Sequence, residues 1–168
     1  MGEQQNLSSQ EAIAKLKALA EDINMCMFCT DLTSTPFATR PMSIQQVDEQ
    51  GNLWFLSSAS SNKNAEIRAD EKVQLLFAKP SDSHYLSIFG DAYIYRDRNK
   101  IEEMWTMMAK AWFEDGKDDP DVTVIRVSPT EAYYWDTKYG KMVSMLKIAA
   151  AVVTGKSMDG GVEGSLNV

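Results

Sequence analysis

Residues 39–67, TRPMSIQQVDEQGNLWFLSSASSNKNAEI, most constrain how this chain folds. An extended segment carrying Arg40 and Pro41 runs into a DEQGN turn. The chain returns as LWFLS, then opens into a serine-rich loop ahead of Lys63 and a short helical stretch. Strand, glycine turn and strand predict a hairpin, with Arg40 on one arm and Ser57 ending the other. Short apolar runs of the same kind recur at 25–30, 73–78, 85–96, 122–127 and 131–135, the last two broken at Ser128-Pro129. Gly90 interrupts one of them, as a bulge or a close backbone approach does. Short strands with turns between them and few helices predict a mainly β chain of the α+β class. The expected architecture is a closed antiparallel barrel with helical caps.

The helical stretches are few. Ser8 and Glu11 have capping-box spacing, and Ala12, Ile13, Leu16, Leu19, Ala20 and Ile23 follow the helical period. Residues 63–69 read as a short helix. Asp97 is a good N-cap for a long helix over 97–112, with Ile101, Met104, Trp105, Met108, Ala109 and Trp112 as its apolar stripe. That stripe carries more apolar surface than a small barrel covers alone, which predicts a dimer interface. Residues 141–153 can form a last helix. The Gly- and Ser-rich tail from 155 is expected to be mobile, leaving one domain over 1–154.

A formal net charge of −7 disfavours non-specific binding to nucleic acid or anionic membrane, so any phosphate site must be local. No secretory leader is visible and no apolar run is long enough to span a bilayer, so a cytoplasmic protein is expected. Cys26 and Cys29 lie inside MCMFC, a strand pattern on which residues three apart face opposite ways. They read as core cysteines rather than a redox pair, and with one histidine in the chain no zinc set assembles. His84 therefore anchors no triad, and the acidic loop 114–121 lacks EF-hand spacing. No metal site is expected.

Ser57, Ser58, Ser60, Ser61 and Lys63 carry the most chemistry. At a strand end and helix start they make either a phosphate cradle or a solvated serine-rich turn. Arg40 either faces the same anion, where a guanidinium binds bidentately, or lies exposed on an edge strand. No dinucleotide glycine fingerprint is present, which points to a mononucleotide if a nucleotide binds at all.

Taken in order, Thr39-Arg40-Pro41-Met42, the turn, Trp54-Phe55-Leu56-Ser57-Ser58 and Ser61-Asn62-Lys63 resemble a known family. Gly90-Asp91-Ala92, Met104-Trp105, the DDP loop and the segment from Val127 to Trp135 continue the likeness. The resemblance is to the pyridoxamine 5′-phosphate oxidase-like, FMN-binding split-barrel superfamily, and within it to the general stress protein group. It implies an antiparallel split β-barrel and a homodimer with FMN at the subunit interface. It places Arg40, Ser57, Ser58, Ser61 and Lys63 near the phosphate and ribityl chain, with Thr39 and Leu56 in the same motifs. The backbone of Pro41 and Met42 falls beside the isoalloxazine, and Trp112 of the partner closes the site. A small-molecule electron donor or acceptor is the implied substrate. The C-terminal basic stretch that holds substrate in true pyridoxamine phosphate oxidases is missing here, where DTKYGKMVSML follows Trp135. Two functions follow: a flavin-dependent oxidoreductase, or a non-catalytic flavin-binding or redox-sensing stress protein. A split barrel that has lost flavin and serves as an interaction module is the third alternative.

Overall fold

The computed structural model describes residues 3–5, 7–107, 109–137 and 161–168. After two short strands, β1 (Glu3–Gln4) and β2 (Leu7–Ser8), helix α1 (Ser9–Ile23) lies on the barrel. Strands β3 (Met25–Thr30), β4 (Ala38–Ser43), β5 (Gln46–Val47) and β6 (Leu53–Ser58) follow, then helix α2 (Asn62–Ala69). Strands β7 (Lys72–Lys79) and β8 (His84–Tyr95), helix α3 (Arg98–Met104), and strands β9 (Val122–Thr137) and β10 (Gly161–Asn167) complete the chain. The principal strand order is β1-β10-β9-β8-β7-β3-β4, and β6 joins the first half of β9. This is a split-barrel arrangement, mainly antiparallel strands with helices laid over them.

Strand β9 holds the barrel together. Its first half pairs β6 on one side and β8 on the other, and its second half pairs β10 and β8. The strand runs through Ser128-Pro129, where a break was expected. The β8–β9 register shifts between Phe89 and Gly90, which places Pro129, lacking an N–H, at an irregularity in the ladder. The inward side chains of alternate strand residues form the core. Phe28 and Phe55 meet edge to face with centroids 5.2 Å apart, and Ala12, Leu16, Leu19 and Ala20 of α1 cover them.

Four sequence expectations change. The hairpin is narrower than predicted: β4 pairs β3, and only Gln46 and Val47 pair β6. Strand β4 is thus an edge strand, a position where proline is tolerated. The helix capped by Asp97 ends at Met104. Thr106 Oγ1 takes the Ala109 amide at 3.2 Å, a local side-chain bond that competes with helix continuation. Ile101 and Met104 are buried against Val122 and Val124, so the stripe mostly packs within the chain, while Met108 lies outside the described residues. Residues 161–167 of the expected mobile tail form β10, whose Leu166 is buried and whose backbone pairs Ala132 through Thr137. A weakly apolar segment suffices there because β9 supplies the ladder. The helix expected at 141–153 lies outside the described residues.

Cys26 and Cys29 are buried and free, and burial, with Cys29 adding to it, pushes the Cys26 thiol up to about 12. A thiol that does not ionise near neutral pH is no redox nucleophile. Among the described residues no helix is long and apolar enough to cross a membrane.

Candidate functional site

The site is built at the end of β6 and the start of α2. Strand residues alternate sides, so Leu53, Phe55 and Ser57 face inward while Trp54, Leu56 and Ser58 face the other way. Ser61 caps α2 by accepting the Asn64 amide at 3.3 Å. The cap turns the first helical residues back toward Ser57. Asn64 is buried, accepts from Ser57 Oγ at 2.6 Å and donates to Thr123 Oγ1 at 3.0 Å, which ties α2 to β6 and β9.

Lys63 is folded into this corner rather than standing at a helix rim. It is 8% exposed, and its Nζ donates to Ser57 Oγ, to Ser61 Oγ at 3.1 Å and to Asn64 Oδ1 at 3.4 Å. Every one of these acceptors is neutral. Among the described residues no carboxylate lies within ion-pair distance of it. Burial, reinforced by the Arg40 charge and opposed by Glu66, brings the Lys63 ammonium down to about 8. A buried ammonium held by neutral oxygens alone is short of an anion.

Arg40 reaches the same corner from β4. Its Nη1 donates to Thr30 Oγ1 at 2.5 Å and to the Phe28 carbonyl at 3.3 Å, and its Nη2 to Glu66 Oε2 at 2.6 Å. Thr30 Oγ1 also donates to Glu66 Oε2, at 2.5 Å. The Thr30 hydroxyl and Arg40 together hold the Glu66 carboxyl below its ordinary range. Thr30 and Glu66 were not singled out in the sequence. The signal was present in part, because Lys63 and Glu66 have the i, i+3 spacing that puts two side chains on neighbouring positions of a helix.

The predicted residues divide. Arg40, Ser57, Ser61 and Lys63 come together. Ser58 and Ser60 belong to a different cap: both hydroxyls bond the Asp121 carboxylate, and the Ser60 amide does so at 2.9 Å. An anion already occupies the donors there. Leu56 packs under α3 with Trp54 and Trp105. Thr39 and Pro41 are on the exposed side of β4, Thr39 Oγ1 lying 3.5 Å from Cys29 Sγ, and Met42 packs on the core. Trp112 is 81% exposed in a turn after α3, away from any stripe. Two surface grooves, of about 390 and 500 Å³, touch neither Arg40 nor Lys63.

The chain belongs to the pyridoxamine 5′-phosphate oxidase-like family, whose model matches residues 11–159. It is 28% identical over 127 residues to protein bli-3 of Neurospora crassa, covering 70% of this chain and 61% of that one. It is 24% identical over 82 residues to general stress protein 26 of Bacillus subtilis, covering 47% and 58%. The chain thus matches about three fifths of the length of these relatives. Among solved structures, one called a general stress protein 26 from Jannaschia sp. CCS1 superposes with a TM-score of 0.79 at 22% identity, covering 95% of this chain and 100% of that one. A general stress FMN/FAD binding protein from Xanthomonas citri gives 0.65 at 23% identity, covering 76% and 90%.

Proposed function

We propose that this chain binds FMN through its phosphate at Lys63 and acts as a flavin-dependent oxidoreductase of the general stress group. The observation that carries this reading is the buried Lys63 ammonium with neutral partners only, beside a guanidinium. A phosphate dianion supplies the missing charge, and the Ser57 and Ser61 hydroxyls, which here donate to Asn64 Oδ1 and the Ser58 carbonyl, would turn to its oxygens. Arg40, held by Glu66 and Thr30, adds a positive field at the same corner. The bound isoalloxazine would supply the electron transfer, and the protein the orientation and field around it. The description of the Xanthomonas citri neighbour as an FMN/FAD binding protein agrees with this reading.

A second copy of the chain is proposed to complete the site. The outward face of β3, β7 and β8 exposes Met25, Met27, Leu76 and Tyr85, and Trp135 continues it on β9. Met27 and Leu76 are register partners, so the apolar surface is contiguous. The exposed Trp112 is a further candidate for contact with the partner's flavin.

A non-catalytic, redox-sensing role is the alternative. It draws on the fact that Glu66, whose charge acts on Lys63, is committed to Arg40 and Thr30 and so is no free base. Anaerobic mixing with NADH or NADPH separates the two: turnover with an acceptor supports the oxidoreductase, and unreduced flavin supports the sensor.

The Lys63 environment sets a pH dependence. With the ammonium lowered to about 8, it is charged at pH 7 and mostly neutral at pH 9. The sign follows: the contact is present below about 8 and is lost as the pH rises through that value. FMN affinity is expected to fall about tenfold from pH 7 to pH 9, while riboflavin affinity stays flat. Fluorescence titration at both pH values checks it, and the Lys63→Arg variant should flatten the FMN curve. A slope common to FMN and riboflavin would contradict the assignment.

A further inference from the structure

Strand β8 outruns its neighbour β7. Asp91 is paired with Lys72, the first residue of β7, yet β8 continues to Tyr95 with β9 alone beside it. The Ala92 amide still donates to the Glu71 carbonyl at 2.8 Å. Alternate residues of an antiparallel strand point their N–H and C=O groups to opposite sides. Tyr93 and Tyr95 therefore turn these groups to β9, and Ile94 turns its own to the side that β7 has left. Among the described residues the Ile94 N–H and C=O have no hydrogen-bond partner. A groove of about 390 Å³ lies along this edge, lined by Ile67 and Arg68 at the end of α2 and by Ile94 and Arg96. Both arginines are exposed, and among the described residues neither makes a hydrogen bond or an ion pair. Asp121, the carboxylate that the Arg96 charge reaches, is bonded by Ser58 and Ser60 instead. Glu71 is the single carboxylate among the groove's described lining residues.

We propose that this groove takes an extended acidic segment of a partner polypeptide, which adds to β8 as a further strand. A strand laid beside the free edge occupies the place β7 vacates, and its backbone bonds the Ile94 N–H and C=O. Residues directly opposite each other in an antiparallel pair carry their side chains on the same face, and Ile94 and Arg96, two residues apart, share a face. Acidic residues at alternate positions of the incoming segment then present their carboxylates on that face. One meets the planar fork of Arg96, and Arg68, the groove's second guanidinium, supplies a partner for the next. The charge argument is local: the chain as a whole carries −7, yet two arginines without ion pairs among the described residues stand at one free edge. Charged side chains also guard free edges, by repelling a second copy of the same edge. The same two arginines attract a strand of opposite charge. The groove does not touch Arg40 or Lys63, so the site is independent of the flavin reading.

The test titrates the full chain with the capped peptide Thr-Glu-Thr-Glu-Thr, followed by fluorescence anisotropy of a tag on the peptide and by amide exchange of the protein. The peptide should bind one per chain and slow exchange at the Ile94 amide. Replacing both glutamates of the peptide by glutamine should weaken binding about tenfold or more, and N-methylating the two glutamate amides should do the same by removing the donors that face the edge. In the protein, Arg68→Gln and Arg96→Gln should each cost about threefold to fivefold, as exposed charge pairs do, with the thermal melt unchanged. The variants leave the backbone edge intact, so a folded variant that binds less reports the charge and the N-methylated peptide reports the strand pairing. No binding at millimolar peptide, equal affinity for the glutamine peptide, equal affinity for the N-methylated peptide, or an Ile94 amide left unprotected overturns the proposal. So does succinate competing as strongly as the peptide, which would mark a site for small anions.

Discussion

Lys63→Met is expected to lower FMN affinity tenfold to a hundredfold at pH 7 and to leave riboflavin affinity unchanged. The variant removes one charge-assisted contact, worth about 1.5–3 kcal/mol, and each 1.4 kcal/mol is about a decade in affinity. Methionine is the right replacement because Lys63 is buried: alanine would open a void beside Ser57 and Asn64, and the unbranched thioether fills it. Folding stability should hold or rise, since the variant also removes the cost of burying an ammonium among neutral oxygens. The sign agrees with the lowered Lys63 value. That shift makes the flavin-free protein less stable below about 8 and relieves the penalty as the pH rises toward the unfolded value. Fluorescence quenching titrations with the two flavins, run beside a thermal melt, measure all three effects. Equal losses for both flavins would mean that Lys63 serves packing and not the phosphate.

Gly90→Ala is expected to destabilise the fold by about 3 kcal/mol, an effect at the upper end for overpacking. A Cβ on Gly90 would sit 2.3 Å from the Ser128 carbonyl oxygen and 3.1 Å from Pro129 Cα. Both obstacles are backbone of β9, the strand that pairs with β6, β8 and β10, so no side chain can move aside. For a chain of this length the loss corresponds to about 6–12 °C in Tm, read by calorimetry. A shift under 2 °C would show that the β8–β9 register can slide at the bulge without cost.

The same two places show how far the sequence could be read. Gly90 was legible as a bulge or close approach because an isolated glycine in a strand has few other uses. Pro129 was misread as a strand end. A proline breaks a strand only where its missing N–H is needed, and here the extra residue of the register shift, Thr130, follows it directly in β9. The cationic corner was legible in kind. Arg40 and Lys63 do meet, but through α2 and β3 rather than across a hairpin, because β4 finds its partner in a strand that precedes it. The serines were grouped by proximity in the chain. The two-residue strand period separates Ser57 from Ser58, sending one to Lys63 and the other to Asp121. Asp121 lies some sixty residues away, and its claim on Ser58 and Ser60 leaves no trace in the local pattern. The long helix failed for a local reason, the Thr106 cap, and β10 was missed because a weakly apolar segment needs only a paired neighbour to become a strand.

The most direct measurement is the identity and amount of flavin that the purified chain carries. The protein, loaded with excess FMN, freed of unbound flavin and then heat-denatured, should release FMN at about one per chain, as resolved by chromatography and visible absorption. Light scattering of the loaded protein before denaturation should give about twice 18.8 kDa, as a site shared between two copies requires. Stoichiometric FAD, a colourless protein that takes up no added FMN, or a monomer that binds FMN tightly would contradict the account.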